Sequence, residues 1–220
     1  MRLAYELLES PEKLYVGRIC CITIENSYEF KRVLDALQNA EDRVSFYKDN
    51  EPLKPKEFIF IENILSMDLN DRKVIGKVYK YLEELMLEED FLIRTNNLSS
   101  IIGEYLEDLI FESNFPLVIQ EDFDRQNLLK AMGLNVINES ETFVEKIIDY
   151  FELVLRFSDY KLIVFANLLA YLDEVELAQL IRFAEINGLS LVTIERIKTN
   201  NTFIDQANHI LFDKDLCRVI

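Results

Sequence analysis

The sequence predicts an α/β fold in which a mainly parallel sheet carries helices and an α-helical lobe is inserted between its two halves. Three observations predict it. Residues 161–195, KLIVFANLLAYLDEVELAQLIRFAEINGLSLVTIE, read as strand, capped helix and strand. RICCITIE is almost wholly apolar and β-branched, which suits a strand covered on both faces. Between these segments the apolar period changes from alternation to the 3.6-residue repeat of helices.

Taken in order, RLAYEL alternates, Ser10-Pro11 turns the chain, and KLYVG resumes a short strand. After RICCITIE, Ser27 is placed to cap a helix whose Phe30, Val33, Leu34 and Leu37 share a face. RVSFYKD and, beyond the breaks at Pro52 and Pro55, EFIFIENIL read as strands, giving a βαβ-like first half. Asp68 or Asn70 opens the helix NDRKVIGKVYKYLEELMLEED, with Val74, Ile75, Val78, Leu82 and Leu85 as its apolar stripe. RTNN breaks that pattern, and LSSIIGEYLEDLIFESN forms a second helix. The expected division is an α/β head, 1–66 and 132–220, and a helical leg, 67–131. The α/β pattern returns with NLLKAMG, LNVIN and a helix over about 141–157, where Thr142 and Glu145 have capping-box spacing. Asp173 and Glu176 repeat that spacing, Gly188 stops their helix, and HILF and LCRVI add edge strands.

Composition narrows the function. Half of the 220 residues are hydrophobic, and five Gly with four Pro leave little for disordered or repetitive stretches. The first residues lack the apolar run of a leader, and no segment reaches about 18 uncharged apolar residues, so a cytoplasmic protein without a membrane span is expected. Cys20 and Cys21 are strand neighbours facing opposite sides, Cys217 lies apart, and structural reduced thiols are expected. One histidine, His209, cannot assemble a histidine-based metal site.

The strand–helix arrangement is that of a nucleotide-binding domain, but the chemistry is missing. No G-x-x-x-x-G-K-[ST] loop occurs. Glu25-Asn26-Ser27 follows RICCITI where glycine, lysine and serine would cradle phosphate, and an acidic residue there disfavours it. LIVFAN ends in Asn167 rather than an Asp-Glu pair for magnesium and water. An NTPase-like scaffold that binds no nucleotide and is not an enzyme is expected.

The net charge is −16, which opposes nucleic acid if spread evenly. It is not. Lys73, Lys77 and Lys80 follow i, i+4, i+7 spacing and at ~100° per residue fall within about 60° of one another. Arg72 flanks them, Lys54 and Lys56 precede in LKPKEF, and no acidic residue interrupts 72–81. The strip reads either as phosphate contact along a duplex or as a solvated helix face supported by nearby carboxylates. Glu121, Asp122 and Asp124 crowd IQEDFD, after a helix bearing Glu104, Glu107, Asp108 and Glu112. Such clusters are either solvated surface or hard oxygen ligands of the kind calcium takes in sixes to eights.

The phrases LKPKEFIFIENILSMDLNDRKVIGKVYKYLEELM, NLLKAMGLNVINESETFVEKI and KLIVFANLLAYLDEVELAQLIRFAEINGLSLVTIE, in that order after LLES-PEKL, resemble the type II-A CRISPR-associated adaptation proteins of the Csn group, short form. The resemblance covers nearly the whole chain and rests on ordered apolar blocks. It implies an α/β head related to ABC-type ATPase heads and a helical leg. It also implies a homotetramer ring that takes double-stranded DNA ends into a positively lined hole. Calcium would steady fold and ring, and the CRISPR integrase and effector nuclease would be partners in spacer acquisition, without ATP hydrolysis. On that reading Arg72, Lys73, Lys77, Lys80, Lys54 and Lys56 contact DNA, and Glu121, Asp122, Asp124 and Glu112 hold calcium. Two alternatives stay open: a scaffold or adaptor binding proteins only, and a metal-dependent nuclease. Against the second, the nearest match to D…[DE]-x-K, Asp71-Arg72-Lys73, opens a helix rather than riding a strand.

Overall fold

Two sheets, helices on both faces of the larger one and a separate helical unit are seen in a computed structural model that describes residues 1–39, 41–119, 123–198 and 209–219. The strands are β1 (Arg2–Tyr5), β2 (Glu12–Lys13), β3 (Ile19–Ile24), β4 (Val44–Lys48), β5 (Glu51–Pro52), β6 (Phe58–Ile61), β7 (Leu162–Ala166), β8 (Ser190–Glu195), β9 (His209–Phe212) and β10 (Arg218–Val219). The helices are α1 (Ser27–Asn39), α2 (Arg72–Met86), α3 (Glu89–Ser113), α4 (Arg125–Ala131), α5 (Phe143–Leu155) and α6 (Glu174–Ile186). Contacts divide the chain into an α/β unit, Met1–Asp68 with Asn138–Ile220, and a helical unit, Leu69–Ile137.

In the α/β unit the larger sheet has the order β10-β9-β3-β8-β7-β6. Its strands β9, β3, β8, β7 and β6 pair in parallel, and β10 is antiparallel to β9. Every residue of β3, β7 and β8 is buried, the condition their apolar runs predict. One face carries Cys21, Ile163, Phe165 and Leu191 packed with Ile147 and Phe151 of α5 and Leu177 and Leu180 of α6. The other carries Cys20, Ile22, Val164 and Val192 packed with Phe30 and Val33 of α1 and with Leu3 and Phe46 of the smaller sheet. The adjacent cysteines thus serve opposite layers, and burial pushes both thiols up to about 12.

The smaller sheet corrects the βαβ expectation. Its order is β2-β1-β4-β5, all antiparallel, so the strand after α1 leaves the parallel sheet and pairs with β1, Leu3 opposite Phe46. The reason lies in its alternation: Val44 and Phe46 are buried while Ser45 and Tyr47 are only partly covered, the pattern of a strand packed on one face. HILF is also not an edge, because β9 lies between β3 and β10.

In the helical unit the break between long helices falls at Leu87–Glu88, not at RTNN. Leu87 and Glu88 N–H groups close the end of α2 on Glu84 and Leu85 carbonyls, and Glu88 precedes α3. Arg94-Thr95-Asn96-Asn97 continues inside α3 because Thr95 is buried and donates its hydroxyl to the terminal Met86 carbonyl of α2 (3.0 Å). LNVIN forms no strand: the Asn70 side chain both accepts from Val136 N–H (2.8 Å) and donates to its carbonyl (3.0 Å).

Candidate nucleic-acid interface

Helix α2 starts because Asp71 caps it, its side chain accepting from Lys73 N–H at 2.9 Å. Val74, Ile75 and Tyr79 form its buried face, and the Tyr79 hydroxyl donates to the Leu134 carbonyl (2.8 Å). Glu83 accepts from Gln126 Nε2 on α4 (2.6 Å). These contacts fix the helix's rotation, so Lys73 and Lys80 are exposed and Lys77 half-buried away from the buried face, while Arg72 is exposed at the helix start. Lys80 lies 4.0 Å from the Glu84 carboxylate, an exposed i, i+4 pair. Among the described residues no carboxylate lies within ion-pair distance of Arg72 or Lys73. The arrangement can neutralise phosphates in a row.

Lys54 and Lys56 belong to the α/β unit, exposed in the turn between β5 and β6, where Glu57 accepts from Lys54 N–H. Of the carboxylates expected to bind calcium, Glu121 and Asp122 lie outside the described residues. Asp124 caps α4, one oxygen accepting from Asn127 N–H (2.8 Å) and the other from its Nδ2 (2.6 Å). Glu112 is exposed near the end of α3. Among the described residues no three His, Cys, Asp or Glu side chains converge as a metal site.

The turn that would cradle a phosphate is served from within. Asn26 rather than Ser27 caps α1: its Oδ1 accepts from Tyr28 N–H (3.1 Å) and Glu29 N–H (3.0 Å), while its Nδ2 donates to the Lys214 carbonyl (2.8 Å). The negative charge at this helix start is Glu29, 2% exposed. Burial works against its charge, but Arg43, donating to both carboxylate oxygens at 2.7 Å, and the Tyr5 hydroxyl outweigh it and hold the carboxyl below its ordinary value. At the end of β7, Asn167 takes a left-handed conformation (φ 53°) and accepts from Arg196 N–H (3.1 Å), tying β7 to β8.

Sequence reasoning did not single out Glu195, 3% exposed at the end of β8. Its Oε1 accepts from the Thr193 hydroxyl and from Leu169 N–H (3.1 Å), holding the short turn after β7. Burial raises its pKa, and those hydrogen bonds offset the rise only in part. The available signal was a carboxylate closing an otherwise apolar strand, LSLVTIE.

The model of the family CRISPR-associated protein (Cas_Csn2) matches residues 36–216. The chain belongs to the Csn2 family. A CRISPR-associated protein Csn2 of Enterococcus faecalis is 24% identical, over 97% of this chain and 100% of its own length. A Csn2 of Streptococcus agalactiae is 21% identical, over 89% of each chain. Among solved structures, an ABC transporter ATP-binding protein from Pyrococcus furiosus aligns with a TM-score of 0.43 at 9% identity, covering 100% of this chain and 96% of that one. Membership places the Csn2-family chain among CRISPR defence proteins. Among the described residues no helix is long and apolar enough to cross a membrane.

Proposed function

We propose that the protein is a non-catalytic ring, a homotetramer, that holds double-stranded DNA ends without regard to sequence during CRISPR spacer acquisition. The observation that carries this reading is the face of α2 bearing Lys73, Lys77 and Lys80, turned from the core by the Tyr79–Leu134 bond, with Arg72 exposed at the helix start. One strip neutralises few phosphates. Several copies around one duplex add their counterion release, with a log–log salt slope of about −0.9 per neutralised phosphate. The remaining acidic surface repels DNA and favours the strip. Lys54 and Lys56 are secondary contacts.

Assembly is supported by the helical unit's apolar exposure. Only Thr95 of the 25-residue α3 is buried, while Phe91, Ile93, Ile101, Tyr105, Leu109 and Phe111 are exposed. A groove of about 710 Å³ beside them is lined by Ile102, Leu106, Ile110 and Phe123. Patches this apolar mark contact surfaces, and a second copy of the chain is the occupant we assign. Calcium is the ion we assign to the acidic segment of Glu121, Asp122, Asp124 and Glu112, by the hardness of its oxygens; the described members do not by themselves form the site. The turn after β3, capped by Asn26, favours a protein without nucleotide, and the integrase and effector nuclease are its expected partners.

A gel shift with a linear duplex and a relaxed circle of the same sequence tests the central statement. Expected are binding to the linear form, weakening steeply with salt, and little binding to the circle. Equal affinity for both at low salt refutes end-threading, and binding to neither leaves the protein-only scaffold. Magnesium-dependent loss of the linear DNA, abolished at a single carboxylate, would restore the nuclease reading.

A further inference from the structure

In the middle of the basic face of α2 stands a glycine that nothing among the described residues requires. Gly76 is exposed and is not among the glycines at positive φ. A Cβ built on it would meet nothing within 4 Å among the described residues. Glycine inside a helix lowers stability relative to alanine, because more backbone freedom is lost on folding. The position therefore gives up stability where neither backbone conformation nor internal packing asks for it.

Its neighbours around the helix indicate what does. At ~100° per residue Gly76 lies about 40° from Arg72 on one side and about 40° from Lys80 on the other. Lys73 is nearly in line with Lys80. The bare backbone is thus a notch bordered by cations on both sides. Any side chain at this point would stand between those cations and hold a broad polyanion away from the helix. With glycine, a sugar–phosphate strand can lie against the backbone while the flanking cations reach its phosphates from both sides.

We propose that Gly76 is the seat of a phosphodiester strand, bracketed by Arg72 on one side and Lys73 and Lys80 on the other. The proposal rests on the duplex reading above and adds where and how the strand sits. The N–H groups at this depth in α2 bond within the helix, so the seat offers no free amide. Its contribution is room, with Cα–H contacts to phosphate oxygen as a secondary term. Such a seat is blind to base sequence, because it touches only the backbone.

The test compares the wild-type protein with Gly76→Ala and Gly76→Leu in calcium-containing buffer. Binding to a short blunt-ended duplex is read by fluorescence anisotropy, size by light scattering and stability by thermal unfolding. Expected are an unchanged size, an unfolding midpoint for Gly76→Ala at or above wild type, binding weakened about tenfold by Gly76→Ala, and a further loss for Gly76→Leu. A variant that is more stable yet binds less well is a result that general damage to the fold does not give. If wild type binds and Gly76→Ala binds equally well, the seat is refuted while the duplex reading stands. If Gly76→Ala changes the assembled size, the glycine makes room for another copy of the chain and the proposal is overturned. If wild type does not bind, the duplex reading falls and this inference with it.

Discussion

Two buried glutamates with opposite settings show how far single residues shape this protein. Glu29 keeps its charge because Arg43 and Tyr5 hydrogen-bond to it, so its contribution to stability is present above the ordinary carboxyl range and lost as pH falls through its lowered value. Glu195 accepts from one hydroxyl and one amide, forms no ion pair among the described residues, and its pKa is raised by burial. Its contribution is fully present below the unfolded value and lost as pH rises through the folded one. Glu195→Gln keeps the acceptor for Leu169 N–H without the titration. The variant should therefore gain stability over wild type at about pH 8, and that gain should shrink towards about pH 4, as read from urea midpoints. A gain equal at both values would show that the carboxyl does not titrate differently on folding. Neither glutamate's partners could be paired from local sequence, because Arg43 and Tyr5 lie 14 and 24 residues from Glu29, and Leu169 lies 26 residues from Glu195. By contrast, the opposite facing of Cys20 and Cys21 follows from strand geometry alone.

Elements were legible where a single local rule decides them. The boxes at Thr142–Glu145 and Asp173–Glu176 are both present, each with reciprocal bonds. The runs RICCITIE, LIVFAN and LSLVTIE are buried strands of one parallel sheet. Illegible elements were those settled by distant partners. Arg94–Asn97 stays helical because Thr95 finds a carbonyl on another helix, and β4 changes sheet because β1, about forty residues earlier, is waiting for it. On α2 the angular grouping of the cations and the alternative of supporting carboxylates, which Glu84 beside Lys80 supplies, were both legible, but not the Tyr79 bond that fixes where the cations point. The start of α1 is a further case: its cap is Asn26 and not Ser27. Asn26→Ala should cost about 1 kcal/mol of stability by loss of the cap. It should also leave calorimetry with ATP without heat of binding, since the buried Glu29 charge remains behind the vacated amides. Tight ATP binding by the variant would show that the asparagine alone had displaced phosphate.

At the scale of the whole molecule, the acidic total and the basic strip describe different places, so net charge alone is a poor guide to partners. The exposed apolar residues of α3 make the size of the particle the decisive quantity. Light scattering should show an assembly larger than one chain in calcium, and a chelator should lower both its size and its thermal midpoint. A single-chain mass under both conditions would remove the ring, and unchanged values with chelator would remove calcium from the account. The cap at Asn26 also bears on timing. ATP-driven machines alternate between loaded and spent forms, and that alternation sets their rhythm. On the proposed reading, a turn whose amides are taken up by its own side chain keeps no such clock, and residence on a DNA end would follow ionic strength and concentration, with no fuel to exhaust.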